Sequence, residues 1–152
     1  MHLVSQSPKD TRAIAARLAT QWKAAMQGRA SALVIALIGE LGSGKTAFVQ
    51  GAAEALGVRE IPRSPTFNLA KSYAIPGTSY RLWHLDCYRL ENRNDLRALD
   101  VHTIFADPRN LVLVEWADRV TGALPSDHTV IRMTHAGGDK RSFSLNEHPQ
   151  RT

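Results

Sequence analysis

The chain has 152 residues, 43% of them apolar and 22% charged, with a net charge of +5. A chain of this size buries about 70% of its unfolded surface in one core, so composition excludes intrinsic disorder. A single cysteine, Cys87, excludes an internal disulfide and a multi-cysteine zinc site. The longest apolar run, Ala32 to Ile38, falls well short of the ~20 residues needed to cross a bilayer. The first residues, Met-His-Leu-Val, show no basic segment leading into an apolar stretch, so no secretory signal is expected and the reading is cytoplasmic. The excess of 19 Lys and Arg over 14 Asp and Glu suits a phosphate ligand or an RNA without specifying either.

Ser7-Pro8-Lys9-Asp10 has the signs of a helix start: a capping hydroxyl, a proline suited to the first helical position, and an acid where a capping box places one. Ile14, Leu18 and Trp22 then form one apolar stripe, and the helix is expected to end near Gly28. Leu33 to Ile38 is apolar without alternation, as in a strand covered on both faces of a parallel sheet. A glycine-rich turn follows, then a helix from Lys45 to Leu56 with Gly57 as its stop. Ile61 to Pro65 reads as an extended loop. Phe67 to Tyr73 and Tyr80 to Asp86 alternate as strands around a hairpin turn at Pro76-Gly77-Thr78. Asp95 to Leu99 is a short helix candidate. Leu111 to Val114 is a second buried-type strand ending at Glu115-Trp116, and Val130 to Met133 and Ser142 to Leu145 are the last two, joined through Gly137-Gly138-Asp139. The order predicts a three-layer α/β domain over residues 1–147, with a mixed, mostly parallel sheet flanked by helices and a loose tail from His148.

Gly39-Glu40-Leu41-Gly42-Ser43-Gly44-Lys45-Thr46 matches G-x-x-x-x-G-K-[S/T] at every fixed position, between a strand and a helix. The glycines permit backbone angles that bring successive N–H groups into a concave nest for phosphate oxygens. The helix begun at Lys45 aims its N-terminus at the same anion. Lys45 can reach the β- and γ-phosphates and Thr46 can bind Mg²⁺. Glu40 to Ala47 is therefore the expected nucleotide-binding segment, with a nucleoside triphosphate and magnesium as its ligands.

Hydrolysis also needs a carboxylate near the metal and a group that orients the attacking water. Asp86 and Glu115 each end an apolar strand, and carboxyl ends of parallel strands share the ligand-binding edge of an open sheet, so either acid can face the metal. Thr66, in Ser64-Pro65-Thr66, is a candidate switch residue sensing the γ-phosphate. His84, two residues before Asp86, can touch the site but reads more readily as an internally satisfied strand histidine, Cys87 reads as a small buried apolar residue, and Trp116 equally as core or contact surface. Arg63, Arg81 and Arg89 can contact phosphate or RNA, but read by default as solvated surface arginines. A small-molecule kinase on the same loop needs a mobile lid, for which only Asn92 to Arg97 is available. A GTP-dependent switch needs an Asn-Lys-x-Asp element, to which Asn92-Arg93-Asn94-Asp95 is the nearest string.

Five elements in order, from about Thr11 to about Val130, resemble the TsaE (YjeE) family of small bacterial P-loop ATPases. They are Thr11 in the first helix, GELGSGKT, Ser64-Pro65-Thr66-Phe67, His84-Leu85-Asp86-Cys87-Tyr88-Arg89-Leu90, and Glu115-Trp116. That family is required for threonylcarbamoyladenosine in tRNAs that read codons beginning with adenine. The resemblance implies Thr46 and Glu115 as magnesium ligands, Asp86 as the acid supporting the metal or the attacking water, Thr66 as a switch, Trp116 as a residue tied to activity, and Thr11 beside the adenine. It implies a TsaB–TsaD heterodimer as partner, reset by ATP hydrolysis, with tRNA reached only through that complex and neither DNA nor a membrane involved. The chain departs from the family pattern at Cys87, where leucine is common, at Asp100, where glycine is frequent, and at Ala117, where proline often follows the Glu-Trp pair.

Overall fold

The structure, a computed structural model, describes residues 1–60, 62, 70–88 and 100–147. Its strands are β1 (His2–Ser5), β2 (Leu33–Ile38), β3 (Ala70–Ala74), β4 (Arg81–Asp86), β5 (Asn110–Glu115), β6 (Thr129–His135) and β7 (Arg141–Glu147). Its helices are α1 (Pro8–Ala25), α2 (Lys45–Ala55) and α3 (Val101–Ala106), with two 3-10 turns after β5. The sheet runs β1-β7-β6-β2-β5-β4-β3. β6, β2, β5 and β4 are mutually parallel, whereas β1, β7 and β3 are antiparallel edge additions.

The two unbroken apolar runs, β2 and β5, lie side by side at the centre. Both faces of each are covered, which is why neither alternates in polarity. Leu33, Ile35, Leu37, Leu111 and Leu113 pack under α1 and α2. Val34, Ala36, Val112 and Val114 pack on the opposite side with Val101, Ile104 and Phe105 of α3. This is the predicted three-layer arrangement.

Ser7 caps α1, its Oγ accepting from Asp10 N at 3.1 Å, and Asp10 accepts from Gln6 N one residue before the capping box position. The buried face of α1 is Thr11, Ala15, Leu18, Ala19 and Trp22. Ile14 lies only at its margin. Ala15 and Ala19 are fully buried because α2 comes close here: a methyl group at Gly51 would lie 2.5 Å from Arg12 O and 2.6 Å from its Cα. Gly51→Ala is expected to overpack this crossing. The strain costs about 1–3 kcal/mol, only partly offset by better helix propensity, and lowers the unfolding temperature by about 3–8 °C. Thermal unfolding followed by circular dichroism measures it, and an unchanged midpoint would mean the helices part easily.

α2 stops as expected, with Gly57 at φ 81 and Val58 N donating to Ala53 O at 3.0 Å. The hairpin of β3 and β4 also forms as expected, turning at Gly77 with φ 75. Two elements were not expected, the edge strand β1 and helix α3. The predicted helix at Asp95 to Leu99, the loop from Arg63, the strand start at Phe67 and the tail from His148 lie outside the described residues. Among the described residues no helix is long and apolar enough to cross a membrane.

Candidate functional site

The loop between β2 and α2 is shaped by three glycines for two reasons. Gly42 (φ 76) and Gly44 (φ 101) occupy left-handed backbone that a side chain would strain. Gly39 is required by close approach, since a β-carbon there would meet Ser43 Oγ at 2.5 Å and Met133 O of β6 at 2.6 Å. Gly44 is the N-cap of α2 and supplies no capping side chain, so the first N–H groups of the helix face the loop's interior without a side-chain acceptor. That is a receptive geometry for an anion.

Lys45 fills this interior with its own ammonium group. Its Nζ donates to Gly39 O at 2.5 Å, Glu40 O at 2.9 Å and Ser43 Oγ at 3.2 Å, and stands 4.1 Å from the centre of the Trp116 ring. The side chain is 5% exposed. Burial pushes its pKa below the usual lysine value, against the opposing pull of Glu115, Asp118 and Asp86. Three carboxylates therefore act on one cation held in the loop. Asp118, exposed on the turn after β5, had no motif to announce it.

The register of the parallel strands brings the two predicted acids together. Leu37 of β2 pairs with Glu115 of β5, which pairs in turn with Asp86 of β4. By strand alternation Glu115, His84 and Asp86 continue the row of Leu113 and Leu82, on the α2 side of the sheet. Glu115 is 2% exposed and accepts from His84 Nε2 at 2.5 Å through Oε2. His84 is as deeply buried, and its Nδ1 has no hydrogen-bond partner among the described residues. Of the two readings of His84, the structure favours contact with the candidate metal acid over an internally satisfied strand histidine: one ring nitrogen meets Glu115, and the other has no partner among the described residues. Asp86 is half-buried and accepts from Tyr88 N at 3.0 Å. Thr46 is exposed on the first turn of α2.

Trp116 is half-buried at φ 56, a left-handed conformation rare for a bulky residue. Strain of this kind collects where a backbone must aim a side chain. Here the turn lays the indole between Lys45 and an exposed pair, Tyr88 at 5.0 Å and Arg119 at 5.5 Å. Thr11 is buried at the start of α1, its hydroxyl bonded to Ser5 Oγ at 2.8 Å, and its methyl group faces Gly44. Glu40 and Leu41 form the loop's exposed rim, and Ala47 is half-buried behind it. Thr66 lies outside the described residues, as do Arg63 and Arg89. Arg81 is exposed and donates to Ser72 Oγ. Cys87 is fully buried, and burial pushes its thiol up to about 12, so it is a core residue and no nucleophile.

One contact was missed entirely. Arg141, opening β7, donates through Nε to Gly42 O at 3.2 Å and through a terminal nitrogen to Gly138 O and Lys140 O, so the β6–β7 hairpin braces the loop from the side away from β5. A cleft of 290 Å³ runs along that side between Glu40 and His135. The only sequence signal was a basic residue flanking Gly137-Gly138.

The arrangement suits a hard cation arriving with phosphates. Thr46 and the two strand-end acids supply oxygen donors, the ligand type magnesium prefers. Among the described residues no three His, Cys, Asp or Glu side chains gather closely enough to hold a metal ion unaided.

A family model described as "Threonylcarbamoyl adenosine biosynthesis protein TsaE" matches residues 5–143. The tRNA threonylcarbamoyladenosine biosynthesis protein TsaE of Bacillus subtilis is 36% identical over 115 residues, covering 74% of this chain and 68% of its own. Its namesake from Streptomyces coelicolor is 38% identical over 112 residues, covering 73% and 74%. The crystal structure of Bacillus subtilis YdiB superposes with a TM-score of 0.75 at 30% identity, over 99% of this chain and 87% of that one.

Proposed function

The chain belongs to the TsaE family of tRNA threonylcarbamoyladenosine biosynthesis proteins, and from that premise we propose that it is a magnesium-dependent ATPase serving the tRNA-modifying machinery. The observation that supports this most is the position of Lys45, held inside the glycine loop while Glu115, Asp86 and Asp118 act on it from the neighbouring strand ends. A phosphate-binding loop alone would make a binding module. Acids at its mouth add what hydrolysis requires.

In this reading the β- and γ-phosphates enter the loop and Lys45 exchanges its carbonyl partners for phosphate oxygens. The N–H groups of residues 42–46 and the N-terminus of α2 hold the same oxygens. Thr46 and Glu115 would hold magnesium, which when bound neutralises charge on the β- and γ-oxygens. Asp86, more open than Glu115, orients a water whose oxygen bonds to the γ-phosphorus as the bond from that phosphorus to the β-bridging oxygen breaks. Thr11, against Gly44, lies near the nucleoside end. Thr66 completes the proposal as the γ-phosphate switch.

The output goes to a TsaB–TsaD heterodimer, reset between rounds by hydrolysis, with tRNA reached through that complex. The exposed Leu41, Tyr88 and Arg119 around the mouth offer a partner both apolar and cationic contacts. The test is a pull-down with the TsaB–TsaD pair, with and without ATP, joined to competition of ATP and GTP for one labelled nucleotide. Association that responds to ATP, with ATP preferred, is expected. No association in either condition would remove the partner, and a preference for GTP would remove the ATPase.

A further inference from the structure

We propose that His84 is a positioning residue that sets the carboxylate of Glu115 for magnesium. The inference rests on Glu115 being a magnesium ligand and goes beyond it to the residue that makes it one.

His84 stands on β4 opposite Leu113, in the row that Glu115 closes on β5. Leu82, in the same row, is a fully buried apolar side chain. An imidazole at this depth is costly, because its Nδ1 is buried without a partner among the described residues. A purely structural role would be met better by another leucine. What an imidazole adds is one directed donor: Nε2–H meets Glu115 Oε2 at 2.5 Å, with 1% and 3% of the two side chains exposed. Two atoms with so little solvent around them have few alternative partners, so the contact fixes the carboxylate's torsions as well as its place. The other oxygen, Oε1, receives no hydrogen bond among the described residues. Glu115 is thus presented with one oxygen engaged and one open, on the strand next to the phosphate loop. Histidine and carboxylate outer partners do this commonly for metal ligands, and their loss weakens metal binding.

The probe is the non-hydrolysable analogue AMPPNP, titrated calorimetrically in EDTA and across a magnesium series into His84→Leu, His84→Asn, His84→Gln and Glu115→Gln. Affinity in EDTA is expected to match the parent in the three His84 variants, which also reports a folded loop, and to match or exceed it in Glu115→Gln, which removes a negative charge that acts on the loop. His84→Leu and His84→Asn are expected to need about 10–100-fold more magnesium for half of the enhancement. His84→Gln, whose amide nitrogen reaches where Nε2 stood, should restore the parent requirement. If the leucine variant does not fold, the asparagine and glutamine pair decides. Equal magnesium requirements for asparagine, glutamine and the parent, with Glu115→Gln shifted, would overturn the role of His84 and leave Glu115 as ligand. An unshifted Glu115→Gln would overturn the ligand itself. A loss in EDTA as large as the loss in magnesium would mean that His84 is structural.

Discussion

Glu115→Gln is expected to lower magnesium-dependent ATP turnover about 100-fold or more while nucleotide affinity in EDTA is kept or raised, since a negative charge acting on the loop is gone. Glutamine keeps the shape of the side chain and an oxygen that can accept from His84 Nε2, so the row of Leu113, Glu115 and His84 keeps its packing. What disappears is the charge. A metal ion contributes several kcal/mol to phosphoryl transfer by neutralising developing charge, and a 100-fold loss corresponds to about 2.7 kcal/mol of that. The fold should not suffer, because the charge removed is buried at 2% exposure and is costly to desolvate there. The unfolding temperature should stay level or rise as activity falls, the reverse of what a damaged core gives. Phosphate release across a magnesium series and a thermal melt measure the two. Asp86→Asn is the necessary companion, since Asp86 is half-buried and accepts only from Tyr88 N among the described residues. A larger metal-dependent loss from Asp86→Asn than from Glu115→Gln would exchange the two roles.

The strands that build this site were legible because their environment is written into local composition. β2 and β5 are apolar on both faces, and both are covered by helices in the structure. The loop and α2 were legible for a similar reason, every constraint acting over about eight residues. β1 was not: four residues long and only partly buried, it gains its place chiefly by pairing with β7, some 140 residues away. α3, with six residues, is too short to show a helical period. On α1 the buried stripe was misplaced at Ile14 because Ala15 and Ala19 carry no strong apolar signal, although close packing against Gly51 favours their size.

The same division runs through the site. Strand ends could be read, so Asp86 and Glu115 could be placed at one edge of the sheet, where the register pairs them, but their other neighbours depend on alignments between segments far apart. The contact of His84 with Glu115 needs the β4–β5 alignment, and that of Arg141 with Gly42 spans 99 residues. One departure from the family pattern also gained a physical account. Asp100 stands at φ 52, where glycine is unstrained and aspartate is among the better tolerated alternatives, and its carboxylate accepts from the Thr103 hydroxyl at 2.9 Å. Trp116 has the same backbone conformation without the same tolerance. No sequence rule would have put an indole there, which ties that residue to the aim of its ring at Lys45.

Lys45→Ala is expected to weaken ATP binding by about 1.5–3 kcal/mol, or roughly 10–150-fold in Kd, the range for a charge-assisted hydrogen bond lost from a partly desolvated site. The loss should be greatest without magnesium. Glu115, Asp118 and Asp86 all act on this ammonium, and once it is gone their charge repels the incoming phosphates with nothing in the loop to offset it. Magnesium then takes over part of that neutralisation and narrows the gap between variant and parent. Lys45→Arg should not restore affinity, because the interior bounded by Gly39 O, Glu40 O and Ser43 Oγ fits a compact ammonium and a planar guanidinium is wider. The pH dependence has a definite sign. Burial holds the Lys45 pKa below the ordinary 10.5, so the positive charge that phosphate needs is lost at lower pH than for a free lysine. ATP affinity of the parent should fall as pH rises toward that lowered pKa, and the fall should be absent from Lys45→Ala. Fluorescence titration with a labelled ATP analogue, in EDTA and in magnesium, measures both effects. Parent affinity in Lys45→Ala under both conditions would remove the phosphate from the loop altogether.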